Sequence, residues 1–166
     1  MKFKEESFIP LIFANDINVY SVARAFYEKY KVKSYVYGKS GQGTCYLSKL
    51  VSYKAVKDCD QKEKIKELVN EFAKAHKDKT IIVIGCGDNY VKRIAANKYE
   101  LEDNVVVPYM DESILSSLMD KEQFYKLCDK HNIAYPKTAE CTKEDYENIS
   151  CDFGPPYILK PGNGVM

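Results

Sequence analysis

Residues 80–84 read Thr-Ile-Ile-Val-Ile (TIIVI) and run straight into Gly85-Cys86-Gly87-Asp88. A strand wetted on one face alternates apolar with polar residues. An unbroken, β-branched run between turn signals belongs instead to a parallel strand covered by helices on both faces. Outward from this run, short apolar stretches alternate with stretches of helical period. Phe8–Phe13 (FIPLIF) reads as a buried strand, its Pro10 favouring an edge or strand-start position. Ser34–Tyr37, Leu50–Val56 and Asn104–Val107 are further strand candidates. Val19, Val22, Ala23, Phe26 and Tyr30 repeat at helical spacing behind a cap at Asn15 or Asp16. Ile65, Leu68, Val69 and Phe72 do so behind a capping-box-like pair, Asp60 and Glu63. Gly85–Asp88 opens another helix. The alternation predicts an α/β fold with a parallel, doubly wound sheet over residues 1 to about 110.

The pattern then changes. Residues 111–149 predict three short helical stretches, with Asp120…Gln123 and Thr142…Asp145 as N-terminal capping signals. Lys121 begins an amphipathic helix with Phe124, Leu127, Cys128 and His131 along one side, which predicts a partly buried His131. The chain finishes with Pro155-Pro156, a strand-like Tyr157–Lys160 and the turn Pro161-Gly162-Asn163-Gly164.

Composition narrows the function classes. With 166 residues, 45% hydrophobic, and a net charge of +1, the chain can bury one core and is not disordered. No apolar run approaches the roughly 20 residues of a membrane span. The first ten residues (MKFKEESFIP) lack the apolar stretch of a secretory signal, so the expected compartment is the cytoplasm. Residues 1–80 carry 16 Lys+Arg against 10 Asp+Glu, and residues 81–166 carry 9 against 14. Only two of the 25 basic residues are arginines, Arg24 and Arg93, which argues against sequence-specific DNA reading. The lysines read as solvated helix faces, and neither nucleic acid nor membrane is expected as a partner. Cysteines stand at 45, 59, 86, 128, 141 and 151 with no CxxC pair, and His76 and His131 are far apart. Zinc and disulfides are therefore not expected, and the cysteines read as small buried thiols.

Three familiar motifs fail on spacing. Gly38-Lys39-Ser40 resembles the end of a P-loop, but Lys33 stands where its first glycine belongs. Gly85-Cys86-Gly87-Asp88-Asn89-Tyr90 follows a strand as a dinucleotide fingerprint should, yet Tyr90 replaces the third glycine. Cys86 is followed by Arg93 after six residues, where the thiolate loop of cysteine phosphatases needs five; a helix N-terminus there could lower the Cys86 pKa.

The tail carries more chemistry. Lys160 ends an apolar strand and points to the glycines of PGNG, an arrangement suited to a phosphate: the ammonium supplies charge and glycine amides close over the oxygens. The order of features adds to this: an α/β domain, a helix opening with Asp120-Lys121, a segment HNIAYPKT, then PPYILKPG. Together they resemble the start of an ATP-grasp ligase. "PYILKP" resembles the strand that leads into that family's Gly-rich loop. The stretches FANDINVYSVARAFYEKYKVKSYVYGK and IGCGDNYVKRIAANKYEL resemble carboxylate–amine ligases of the D-aspartate ligase type.

The resemblance implies a Rossmann-like pre-ATP-grasp domain over residues 1–112 and the beginning of an ATP-grasp domain over 113–166. It implies ATP and Mg²⁺ as cofactors, with Lys121, Lys160, Gly162 and Gly164 binding ATP. The reaction implied is activation of an amino-acid carboxylate as an acylphosphate for attack by an amine, in peptidoglycan precursor synthesis. Magnesium ligands and catalytic residues are expected beyond Met166, so this stretch alone is expected to be inactive. Partners would be ATP, the amino acid and the rest of the ATP-grasp domain, with a homodimer left open. Asp16 and Asp88 follow strand ends, where open α/β sheets bind ligands, and are substrate-binding candidates, although a helix cap competes as the role of each. Ala14-Asn15-Asp16 departs from the family pattern, which expects a glycine-containing turn. Two rivals stay open: a non-catalytic α/β binding or scaffolding domain, and another ATP-grasp activity such as a carbamoyl-phosphate-synthase-like one.

Overall fold

The computed structural model describes residues 1–139 and 153–160. The chain forms two compact units, one running from Met1 to Ser116 and one beginning at Ser117.

The first unit is built on five strands, β1 (Phe8–Phe13), β2 (Ser34–Gly38), β3 (Val51–Ala55), β4 (Thr80–Gly85) and β5 (Val105–Val106). All pairings are parallel, in the order β3-β2-β1-β4-β5. The fold is α/β with a parallel sheet flanked by helices, of Rossmann-like type, as the strand–helix alternation predicted. Helix α1 (Ile17–Tyr30) covers one face; α2 (Lys62–Ala75) and α3 (Asp88–Ala96) cover the other.

The core follows from the two-residue period of the central strands. Leu11, Phe13, Ile81 and Val83 pack on Ile65, Leu68, Val69 and Phe72 of α2 and on Ile94 of α3. Ile12 and Val36 face Val19 and Ala23 of α1. Burying each such side chain is worth about 1.5–3 kcal/mol. Parallel neighbours need a crossover of about a dozen residues, and residues 39–50 make the one from β2 to β3 without a helix. Cys45 and Leu50 fill the second core layer there, where a crossover helix would have stood.

Pro10 departs from expectation: β1 is central, not an edge strand. The backbone parity explains how the sheet accepts it. Thr80 N–H donates to Ser7 O and Ala14 N–H donates to Tyr37 O, so odd residues of β1 face β4 and even ones face β2. Pro10 therefore faces β2, and the β1–β2 register begins only at Leu11 opposite Tyr35. The missing N–H falls just before that ladder needs it.

The expected capping box at α2 does not form. Its N-cap is Gln61, without a side-chain bond, because the Asp60 carboxylate is taken by the Lys39 ammonium at 2.8 Å. Ala14 adopts φ 137°, a backbone region that favours glycine. A glycine-type turn is thus present at the departure noted above, but an alanine occupies it, at a strain of about 1 kcal/mol or more.

Helix α4 (Glu112–Met119) spans the divide between the units. In the second unit, α5 (Lys121–Lys130) begins where expected, its cap Asp120 accepting from Gln123 N–H at 3.0 Å. His131 is exposed rather than partly buried. The helix has ended at Lys130, and His131 serves as its C-cap with its N–H donated to Leu127 O. Tyr157–Lys160 is not a strand: it joins no described strand, and Ile158 and Leu159 are more than 80% exposed. Thr142…Asp145 lies outside the described residues.

Gly85 shows how tightly α3 is seated. A Cβ built there would stand 2.8 Å from both Tyr90 Cβ and Val91 N, so adding a methyl must displace the start of α3. Gly85→Ala is expected to destabilise the first unit by about 1–3 kcal/mol, read as a lower urea midpoint at unchanged m-value.

Candidate functional site at the crest of the sheet

From the C-terminal end of β1 the chain turns into α1 on one face, and from that of β4 it turns into α3 on the other. Adjacent strands whose connections leave in opposite directions open a crevice at their carboxyl ends, where ligands bind in open α/β sheets. Asn15 and Asp16 form the β1 side; Cys86, Gly87 and Asp88 form the β4 side. The sheet thus brings the two carboxylate candidates to one edge.

Their situations differ. Asp16 is the N-cap of α1: Oδ1 accepts from Asn18 N–H at 2.9 Å and Val19 N–H at 3.3 Å, and Oδ2 from the Asn18 amide at 3.2 Å. The cap role expected for Asp16 is real. The same role fails for Asp88, because Gly87, at φ 127°, is the N-cap and Asp88 is the first helical residue. Its carboxylate is exposed and makes no side-chain hydrogen bond or ion pair with a described residue. Of the two, Asp88 has its acceptor capacity available for a ligand's ammonium or hydroxyl, and as an acid in a first helical turn it is favoured by the helix dipole.

The thiols at this edge are held neutral. Burial pushes Cys86 up to about 11, and the nearby Asp16 charge adds to it. Cys45 is pushed up to about 11 for the same two reasons. The α3 N-terminus therefore does not lower the Cys86 pKa, contrary to the possibility raised by the sequence. Arg93 does not close on Cys86 either; it lies 3.9 Å from the Asp60 carboxylate. The four described cysteines, Cys45, Cys59, Cys86 and Cys128, are all free and buried. Cys141 and Cys151 lie outside the described residues.

Two further features border the crevice. The β4–β5 register ends at Ile82 opposite Val106, which leaves the outer side of the β4 end without a strand. The Tyr109 hydroxyl fills that place, accepting from Gly85 N–H at 2.8 Å. Lys98 in turn holds Tyr109 O at 3.0 Å and Asp111 Oδ1 at 3.1 Å. On the β2 side, Lys39 and Arg93 converge on Asp60 and hold its carboxyl below the usual range, chiefly through the Lys39 hydrogen bond. Neither feature was legible in the sequence, since Tyr109 and Gly85 stand 24 residues apart and Lys39 and Asp60 stand 21 apart.

Lys121 is the first residue of α5, partly buried, and Lys160 is exposed at the end of the described tail. Gly162 and Gly164 lie outside the described residues. Among the described residues no group of three or more His, Cys, Asp or Glu could hold a metal. No described helix is long and apolar enough to cross a membrane.

No protein-family model matches the chain. A D-aspartate ligase from Enterococcus faecium (strain Aus0004) is 32% identical to it over an aligned length of 169 positions that covers 98% of this chain. The chain spans 40% of the length of that relative. The similarity to a D-aspartate ligase thus extends over nearly the whole sequence, as the N-terminal stretches indicated.

Asp16 couples the cap to the thiols, and the two effects separate by substitution. Asp16→Ala is expected to cost about 1 kcal/mol of stability through loss of the cap, and Asp16→Asn much less. Asp16→Asn still removes the charge that disfavours the thiolates, so Cys86 and Cys45 should alkylate faster than in the wild type near pH 9. Because both thiols titrate higher folded than unfolded, wild-type stability should fall as pH rises from about 9 towards about 11. Thermal melts and iodoacetamide labelling across that range check these outcomes.

Proposed function

We propose that the chain is part of an ATP-dependent ligase that joins an amino-acid carboxylate to an amine, with D-aspartate as the amino acid. The observation that carries this reading is the similarity to a D-aspartate ligase over 98% of the chain. In this reading residues 1–112 form the domain that precedes an ATP-grasp domain, and residues 113–166 begin the ATP-grasp domain.

The residues of the chain suit binding and positioning more than covalent chemistry. The crest thiols are neutral near pH 7 and so are poor nucleophiles. Asp88 offers an open carboxylate to the ammonium of an amino acid, at a helix start that the substrate can approach from solvent. Asp16 holds α1 in place and, being exposed, keeps lone pairs for a second polar contact. ATP, when bound, would supply the γ-phosphoryl group that turns a carboxylate into an acylphosphate. The ammonium groups of Lys121 and Lys160 are point charges suited to neutralising its phosphates, and the exposure of Lys160 leaves it reachable. The glycines at 162 and 164 would close over the oxygens. Among the described residues no group of three or more His, Cys, Asp or Glu could hold the Mg²⁺ that this reading calls for.

In the full-length protein, ADP release should depend on D-aspartate together with an amine acceptor; release that depends instead on bicarbonate would favour a carbamoyl-phosphate-type activity and reject this reading. Lys160→Ala should weaken ATP binding by about tenfold or more, the worth of one charged hydrogen bond. Unchanged affinity by calorimetry would remove Lys160 from the site. Asp88→Asn should raise KM for the amino acid with a smaller effect on kcat, whereas Asp16→Asn should do so less.

A further inference from the structure

Charge is unevenly placed along the strands of the first unit. At the N-terminal ends of β1 and β2, opposite the crest, Lys2, Lys4, Lys29, Lys31 and Lys33 are all exposed. Lys49 before β3 and Lys77 before β4 continue the same edge. The acids nearby are fewer: Glu5, Glu6 and Asp103, with Asp78 beside Lys79 at 4.0 Å and Glu28 already held by Arg24 at 2.7 Å. Over this edge the lysines therefore outnumber the uncommitted carboxylates.

Aromatic rings stand among these lysines. The first residues of the chain lie against the end of α1, pinned by Lys4 N–H to Lys31 O at 3.0 Å and by Phe3 edge-on to Tyr27 at 5.5 Å. Lys31 lies 4.9 Å over the Tyr27 ring and Lys33 lies 5.8 Å over Phe3. Phe3 is 39% and Tyr30 43% exposed, and Met1 71%. Lysine heads around half-exposed aromatic rings are the composition of an interfacial binding face: the rings suit the headgroup boundary, and the ammonium groups suit anionic lipid. Because the arm is already fastened to α1, little ordering is needed on contact. The single arginine near this edge, Arg24, is engaged by Glu28, so the bidentate grip expected of a nucleic-acid face is missing from it.

We propose that the N-terminal edge of the sheet, from the first residues to the end of α1, docks on an anionic lipid bilayer. The crest lies at the other ends of the same strands, so docking leaves the crevice facing away from the surface. This departs from the expectation that no membrane is a partner, which rested on the lack of a spanning segment and not on this edge.

The test is co-sedimentation of the full chain with vesicles of phosphatidylglycerol and phosphatidylcholine, against phosphatidylcholine alone. Binding is expected only to the anionic vesicles and should be lost at high salt. Lys4→Glu with Lys33→Glu should weaken it at least tenfold, and Phe3→Ala should weaken it severalfold. All three positions are exposed, and circular dichroism checks that the fold is retained. Absence of binding, equal binding to neutral vesicles, or binding unchanged by the two charge reversals would overturn the proposal. So would lysine-dependent binding to a DNA oligomer without binding to vesicles.

Discussion

The register between β1 and β4 runs through six consecutive pairs, from Phe8 opposite Thr80 to Phe13 opposite Gly85, and both strands are covered on both faces. Each buried layer takes alternate residues from these strands: Leu11, Phe13, Ile81 and Val83 towards α2 and α3, Ile12 towards α1. A slip of one residue would invert every side chain and bury none of these sets correctly. The same register brings the two chain exits, Ala14–Asp16 and Cys86–Asp88, to one height at the crest. Placement of the candidate site is thus a consequence of core packing.

What the crest can do follows from how its polar groups are already committed. Asp16 is engaged in capping α1, Tyr109 closes the outer side of β4, and Asp60 is shared by Lys39 and Arg93. The thiols are neutral, and Asp88 is the carboxylate left open. Such an arrangement offers an open carboxylate and a helix start to a small charged molecule. Among the described crest residues the thiols, held neutral, offer no ready nucleophile.

Much of the fold was legible because its signals are local. TIIVI and FIPLIF are buried on both faces, and Asp16 and Asp120 cap helices whose first amides lie two or three residues away. The misreadings each involve a distant partner or a missing one. Asp60 looked like a helix cap in its own window, but Lys39, 21 residues earlier, takes its carboxylate. Pro10 looked like an edge or strand-start residue, and the parity of the ladder and the start of the β1–β2 register at Leu11 make it tolerable in a central strand. Tyr157–Lys160 has a strand's composition without a neighbouring strand among the described residues. The turn at Ala14 was expected to need glycine, and its backbone does take that conformation while the side chain does not match.

The ligase reading joins this geometry to the similarity with a D-aspartate ligase, and its core is the fate of one oxygen atom. If the amino-acid carboxylate attacks the γ-phosphorus of ATP and the amine then displaces phosphate, one carboxylate oxygen must leave with that phosphate. The decisive measurement is turnover by the full-length protein of D-aspartate labelled with ¹⁸O in its carboxylates, followed by mass analysis of the released inorganic phosphate. The account predicts one ¹⁸O atom per phosphate formed. Phosphate free of label, or label recovered in AMP, would contradict it.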